Sequence, residues 1–351
     1  QALSDSFKEN EIYFDFELPG STHNFRVSDP FFCAIKHSTE QAYQGTGSLE
    51  VLFDRMLRGE QCRIYYKPFY TRDDFSDERY SPTFAPKAYS GQKVSMKIYL
   101  DQWTVDETMG FAPYVRLATS KKELLQGYVK LVNGQWLDVE FEIPDSQGEL
   151  IDEVGIVLEG YSPRKPRSLG RIYIDEFRIS GKSAYAIDFA KQRINFGCVT
   201  PFSHNHGAWS LVGDAMHLMT AEPSEAYTGN YFATDYSVTV NITPLSGSSH
   251  MVAIRAQGAM RGYRLGFDGD SQVSLYLNDF GDKLLASSPF PWHHNESYEC
   301  KATVKGNLLT LSINGQQVLA HADDTFGYGM YGICTRDAGR SMIRNFRYED
   351  A

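Results

Sequence analysis

Three short stretches of this chain carry side chains able to do chemistry. Ser203-His-Asn-His-Gly-Ala-Trp209 sets His204 and His206 two residues apart, beside Trp209. A His-x-His pair can hold a transition metal. No third ligand stands near it in sequence, so a polar loop flanking a strand, in reach of a sugar, is the simpler reading. Pro291-Trp-His-His-Asn295 is a similar loop, whose Trp292 is either a platform for a sugar ring or a cap on the core. Ile254-Arg-Ala-Gln-Gly-Ala-Met-Arg-Gly-Tyr-Arg264 reads as two strands around a glycine-rich turn. Alternation puts Arg255 and Gln257 on one face, with Arg261 and Tyr263 following the turn. Their planar donors suit hydroxyls or carboxylates in a groove; the alternative is a surface ladder of charge.

Carboxylates are plentiful in the same half of the chain: Glu222, Glu225, Asp235, Asp268 and Asp270. Glycoside hydrolysis needs two at a set separation, and no motif singles out a pair. The sequence has no Gly-x-Ser-x-Gly, no phosphate-binding loop and no defensible Ser/His/Asp arrangement.

Strands must position these groups. Gly170-Arg-Ile-Tyr-Ile-Asp-Glu-Phe-Arg-Ile-Ser-Gly181 alternates imperfectly and stops at glycine, as the last strand of a sandwich does. Its Asp175 is a carboxylate in an otherwise apolar strand and needs a partner. Gly327–Cys334 leading into Ser341–Tyr348 repeats the pattern at the C-terminus. Two closing strands predict an all-β chain of two β-sandwich domains, residues 1–182 and 185–351. The Gly181–Ala184 linker is short enough to pack them together. In the first unit, Asn133-Gly134 predicts a two-residue hairpin, and Ser120–Gln126 is the one stretch read as a turn or two of helix. In the second, Asn314-Gly315 turns a hairpin, and Thr228–Phe232 is read as a strand.

The 351 residues suffice for two ordinary cores. The 22 Tyr and 22 Phe against 4 Trp suit pleated sheets, and sugar-binding surfaces too. A net charge of −10 argues against a nucleic-acid partner, and no apolar run reaches the roughly 18 residues of a membrane span. The chain opens at Gln1 without Met, so either a leader has been removed or this is a piece of a longer protein; a secreted or periplasmic location is expected. Cys33, Cys62, Cys198, Cys300 and Cys334 show no metal-binding spacing. Most are expected as buried thiols, with a Cys33–Cys62 disulfide as the alternative.

The first unit resembles the jelly-roll carbohydrate-binding modules of the galactose-binding-like fold. The resemblance is carried by Phe14-Asp-Phe-Glu17, Ala42-Tyr-Gln-Gly-Thr-Gly-Ser-Leu-Glu-Val51, Gln135–Pro144, Val154-Gly-Ile-Val-Leu158 and Tyr173-Ile-Asp-Glu-Phe177. It implies that Glu17 and Asp175 lie side by side in the first and last strands. Adjacent carboxylates repel unless something positive sits between them. Modules of this fold often carry a structural calcium there. The resemblance thus implies Glu17 and Asp175 as side-chain ligands, with Gly45 and Ser48 contributing from the loop.

The second unit is similar to concanavalin-like (laminin-G-like) sandwiches, on Tyr185-Ala-Ile-Asp-Phe189, the Asn314-Gly315 hairpin and Gly329-Met-Tyr-Gly-Ile333. Val199–Trp209, Glu225–Tyr231 and Arg255–Tyr263 also resemble the non-catalytic C-terminal part of bacterial ADP-ribosylglycohydrolase-family proteins. The helical, magnesium-binding catalytic domain of that family has no counterpart in this sequence. These readings point to a non-catalytic carbohydrate-binding or ancillary region of a larger secreted bacterial protein, with a glycan or glycoconjugate as partner. Two other classes stay open: a glycoside hydrolase with its site in the second sandwich, and a scaffold for a catalytic domain outside this chain.

Overall fold

The computed structural model describes residues 11–31, 33–57, 59–69, 87–103, 109–159 and 167–351. Among them there is no α-helix, only a 3₁₀ turn at Phe189–Lys191 and strands. Four large sheets form.

Sheet I runs Trp136–Glu142, Lys93–Leu100, Arg167–Ser180, Ser48–Leu57 and Cys33–Ser38, with Ile12–Phe14 on the far end of Arg167–Ser180. Sheet II runs Arg26–Val27, Gln61–Tyr66, Ile151–Glu159 and Gly110–Leu117, the last also pairing Glu123–Leu125 and Val129–Lys130. Val94 and Ile98 of sheet I share one apolar core with Ile64, Val115 and Ile156 of sheet II.

Sheet III runs Ala208–Val212, Ala215–Thr220, Gly339–Asp350, Tyr236–Gly247, Tyr298–Lys305, Leu308–Ile313 and Gln316–Ala322, with Ala184–Ile187 beside Gly339–Asp350. Sheet IV runs Ser203–Asn205, Ser224–Thr228, Met330–Thr335, Ser249–Gly258, Arg261–Asp268, Gln272–Asp279 and Asp282–Pro289. Val238, Val240 and Ile343 of sheet III meet Ile254, Leu265 and Leu275 of sheet IV in a second core. The all-β sandwich class read from the sequence is the class observed. Each closing strand lies inside its sheet, hydrogen-bonded on both sides, which is why its apolar positions are so dense.

Some local expectations are corrected. Ser120–Gln126 holds the strand Glu123–Leu125, paired with Gly110–Leu117, because an edge partner is available to it. Asn133-Gly134 turns, with Gly134 at φ +72°, but the strands on its two sides belong to sheets II and I, so it is a crossing and not a hairpin. The strand expected at Thr228–Phe232 ends at Thr228, and the chain turns at Gly229, φ +85°. The Asn314-Gly315 hairpin is present with both residues at positive φ.

The two halves meet through tyrosines. Tyr185 stacks on Tyr89 at 4.6 Å and leans on Tyr348, which stacks on Tyr331 at 4.3 Å. Beside them Asp188 N–H and Gln192 Nε2 both donate to the Gly148 carbonyl, at 2.9 and 3.0 Å.

Gly332 tests the packing of sheet IV. A Cβ there would stand 1.7 Å from the Ala226 carbonyl oxygen, a backbone atom that cannot step aside alone. Gly332→Ala is therefore expected to cost about 1–3 kcal/mol, read as a lower Tm by calorimetry.

Candidate functional site

Sheet IV turns one face to the core and one away. Val252 and Ile254 belong to the second core, while Met251, Ala253, Tyr276 and Cys334 form a separate buried cluster on the other face, as a period of two dictates. Register lays two rows across that outer face. One is Glu225–Cys334–Met251–Gly266–Ser274, the other Tyr227–Gly332–Ala253–Arg264–Tyr276. Gly332 and Ala253, between Tyr227 and Arg264, are small and leave a floor over which the long side chains of Glu225 and Arg264 meet.

Arg264 Nη2 bonds Glu225 Oε1, and Nη1 lies 3.5 Å from Asp282. Glu225 also accepts from the Tyr227 hydroxyl and from Met260 N–H at 3.2 Å. Asp282 accepts from Arg336 Nε at 2.8 Å. Arg336 continues to Asp268 at 3.1 Å and lies 3.6 Å over the Tyr276 ring, whose hydroxyl donates to Asp268 at 2.6 Å. Arg264 is 5 % exposed and Glu225 4 %. The Tyr227 and Met260 donors offset the lost hydration of Glu225, while Arg264 Nε is buried without a hydrogen-bond partner among the described residues.

At one end of this face the Gly258–Arg261 turn meets the loops after Thr228 and before Met330. Tyr231 and Tyr328, each 37 % exposed, pack edge to face at 5.6 Å, and Phe232 touches both. Arg261 Cζ lies 5.1 Å from the Phe326 ring and 5.9 Å from that of Phe280, which is 72 % exposed. Gln257 Nε2 donates to the Tyr328 carbonyl at 3.0 Å. Phe280 N–H donates to the Met260 carbonyl at 2.9 Å. The buried Glu225 thus holds the turn that presents Arg261 beside this aromatic rim.

Arg261 and Gln257 reach this rim. Arg255 and Gln257 do not simply alternate on one face, because Arg255 sits at φ +46° where the pairing register breaks. Arg255 is buried and donates to the carbonyls of Thr234 and Phe326, clamping the rim loops from beneath. Tyr263 is in the core, its hydroxyl 2.6 Å from Asp323. Trp209 and Trp292 are core residues too, their indole N–H groups donating to the His206 and Gly269 carbonyls. His204 rests 5.0 Å from the Trp209 ring and accepts from Val199 N–H at 3.3 Å. His206 is exposed, 3.1 Å from Glu222. Among the described residues no three His, Cys, Asp or Glu side chains converge on a metal-sized site.

Sequence reasoning missed Arg264, Tyr276, Asp282 and Arg336. Arg264 did carry a signal, a lone charge in the apolar run Tyr263-Arg-Leu-Gly-Phe267. Tyr231, Tyr328 and Phe280 had none, since loop packing decides which rings face water.

In the first unit, the carboxylates expected to share a calcium meet a different partner. Asp175 Oδ2 accepts from Tyr43 N–H (2.8 Å) and Gln44 N–H (3.2 Å), and Oδ1 accepts from Glu176 N–H (2.8 Å). Glu17 accepts from Thr46 N–H, Gly47 N–H and the Thr46 hydroxyl, at 2.7–3.0 Å. These peptide donors hold Glu17 below the usual carboxylate range. Burial raises Asp175, against the pull of its own N–H donors. Gly45, at φ +69°, passes so close that a Cβ would lie 2.4 Å from the Glu17 carboxylate. Ser48 Oγ donates to the Gln41 carbonyl at 2.6 Å. The donors facing the carboxylates are N–H and hydroxyl groups, where calcium requires oxygen lone pairs, so these residues do not fit the ion.

No protein-family model matches the chain, and no curated protein does. Among solved structures, a CBM66 carbohydrate-binding module from Bacillus subtilis aligns at TM-score 0.40 and 19 % identity, covering 42 % of this chain and 95 % of that one. A Bacillus subtilis protein of unknown function with a galectin-like fold aligns at 0.36 and 16 %, covering 42 % and 89 %. A tandem of two CBM22 modules from Paenibacillus barcinonensis aligns at 0.32 and 10 %, covering 97 % of each chain.

Two measurements follow from this geometry. Dialysis against EDTA is expected to leave Tm unchanged; a drop restored by calcium would overturn the assignment of Glu17 and Asp175 to peptide donors. Burial lowers both His204 and His250 to about 4. An unfolded histidine titrates near ~6.5, so between pH 6.5 and 4 the unfolded chain takes up protons that the folded one refuses. Stability should fall on acidification by about 1.4 kcal/mol per pH unit for each group. His250→Asn should remove the His250 share of that slope, read from denaturant titrations across that range.

Proposed function

We propose that this chain is a non-catalytic glycan-binding region of a larger secreted protein. It comprises a jelly roll over residues 1–182 and a concanavalin-like sandwich over 185–351. The rim of Tyr231, Tyr328, Phe280, Arg261 and Gln257 holds the sugar. One observation carries this reading: exposed aromatic rings gathered around planar donors, at the end of a sheet face fixed by buried ion pairs. A pyranose has an apolar C–H face that packs on an aromatic ring, and equatorial hydroxyls that meet planar donors. The packing beneath the rim favours binding by limiting the conformational freedom lost on association.

Hydrolysis fits less well. A glycosidase needs one carboxyl group to carry a proton and a second to attack the sugar or activate water. Glu225 faces Arg264, and Asp268 faces Arg336. Both carboxylates are engaged in holding the sheet face together. Calcium has no part in the proposed binding.

A glycan-array screen should find a ligand class. Arg261→Ala and Tyr328→Ala should then each weaken its binding by about tenfold, the weight of one stacked or charge-assisted contact, with Tm unchanged. Retained affinity in both variants would rule out the rim as the site, and an array without hits would rule out the glycan.

A further inference from the structure

The outer face of sheet I carries a second constellation. Its register sets three rows across the strands Trp136–Glu142, Lys93–Leu100 and Arg167–Ser180. They are Trp136–Tyr99–Tyr173, Asp138–Lys97–Asp175 and Glu140–Ser95–Arg178. The intervening Val94, Ile98 and Phe141 point into the core, so the three rows share the opposite face. A cavity of about 590 Å³ lies over the second and third rows, lined by Ser95, Lys97, Asp138, Glu140, Glu176 and Arg178.

The cavity sits between two cation–π pairs. On one side Lys97 Nζ lies 4.5 Å from the centroid of Tyr43, whose ring stands edge-on to Trp136 at 5.7 Å. On the other, Arg178 Cζ lies 3.6 Å over Tyr13, whose hydroxyl donates to Glu176 at 2.7 Å. The aromatic row continues from Trp136 to Tyr99 at 5.3 Å and on to Tyr173 at 6.1 Å. Tyr43 is held in place by its own N–H on the buried Asp175. Lys97 also bonds Asp138, and Lys93 bonds Glu140 at 2.6 Å.

We propose that this face is a second saccharide site, separate from the rim, that takes a neutral pyranose. The ring lies against Trp136 and Tyr43, and its hydroxyls enter the cavity toward Lys97, Asp138, Glu140 and Arg178. Donors and acceptors alternate along the cavity, as the hydroxyls of a neutral sugar do. The lining holds three carboxylates (Asp138, Glu140, Glu176) against two cations (Lys97, Arg178), which disfavours an acidic sugar. The proposal shares its ligand class with the rim reading but rests on different residues.

Isothermal titration of the full chain tests it, with xylohexaose, cellohexaose and mannohexaose as neutral pyranose probes and oligogalacturonate as the acidic one. The intact chain should bind a neutral probe at two sites. Trp136→Ala should remove one of them or weaken it about tenfold, leaving the other intact. Arg261→Ala should do the converse. Asp138→Ala, at a largely exposed position, gives a second variant that does not depend on removing a packed ring, and it should weaken the same site as Trp136→Ala. The proposal fails if Trp136→Ala and Asp138→Ala, both folded by circular dichroism, bind as the intact chain does. It also fails if oligogalacturonate binds this face better than the neutral probes, or if no probe binds. Loss in the Arg261 variant alone would keep the rim and discard this face; loss in the Trp136 and Asp138 variants alone would do the reverse.

Discussion

A guanidinium that grips a buried carboxylate organises each half of this protein. In the second, Arg264 lies between Glu225 and Asp282, with the Tyr227 hydroxyl on Glu225. In the first, Arg116 grips Asp152 through Nε and Nη2 and reaches Glu153 at 2.7 Å, while the Tyr114 hydroxyl donates to Glu153. Burial raises Glu153, and the nearby guanidinium opposes it. In the first half Lys121 also reaches Asp152, at 3.1 Å; in the second, Arg264 is the cation on Glu225, and neither charge of that pair can leave alone. Removing one member of such a pair strands its partner in a poorly hydrated place at a cost of about 3–5 kcal/mol. The faces are therefore fixed, and what the exposed loops can do follows from where these pairs pin them.

The pinning works through peptide N–H groups. Glu225 takes the Met260 N–H and so holds the turn that presents Arg261. Asp175 takes the N–H groups of Tyr43 and Gln44 and so holds the loop that presents Tyr43. In each case a carboxylate on a strand anchors a loop backbone, and the loop carries an aromatic or cationic side chain into solvent. A hydrogen bond to a charged acceptor is roughly twice as strong as a neutral one. A short loop can be ordered in this way without a core of its own.

The strand framework was legible because it rests on alternation and on turn chemistry, both local. The Asn314-Gly315 hairpin and the two closing strands follow from those rules. Asn133-Gly134 shows where they stop: the dipeptide specifies a turn, but which sheets its flanks join depends on partners far away in sequence. The prominent tryptophans, Trp209 and Trp292, went to the cores, since a large ring is buried wherever the fold has room. Arg255 reads from the sequence as a groove donor, yet a bulge turns it inward to three loop carbonyl contacts. Bulges depend on register between strands, and a single chain read along its length does not display register. Asp175 reads from the sequence as a carboxylate in need of a partner. The partner proved to be backbone, which no side-chain pattern can announce.

The junction between the halves sets how two binding faces would cooperate. Three residues, 181–183, separate the strands Arg167–Ser180 and Ala184–Ile187, and Tyr185, the second residue of the latter, is stacked on Tyr89 from the other half. Gly148 accepts from two groups across the same seam. A long flexible tether would let two weak sites engage polysaccharides of any spacing, with a gain that falls slowly as the tether lengthens. A packed junction behaves differently. It concentrates the gain on ligands whose repeat matches the span between the faces and gives none to shorter ones. Selectivity for chain length would then come from the tyrosine stack, which touches no sugar, as much as from the residues that do.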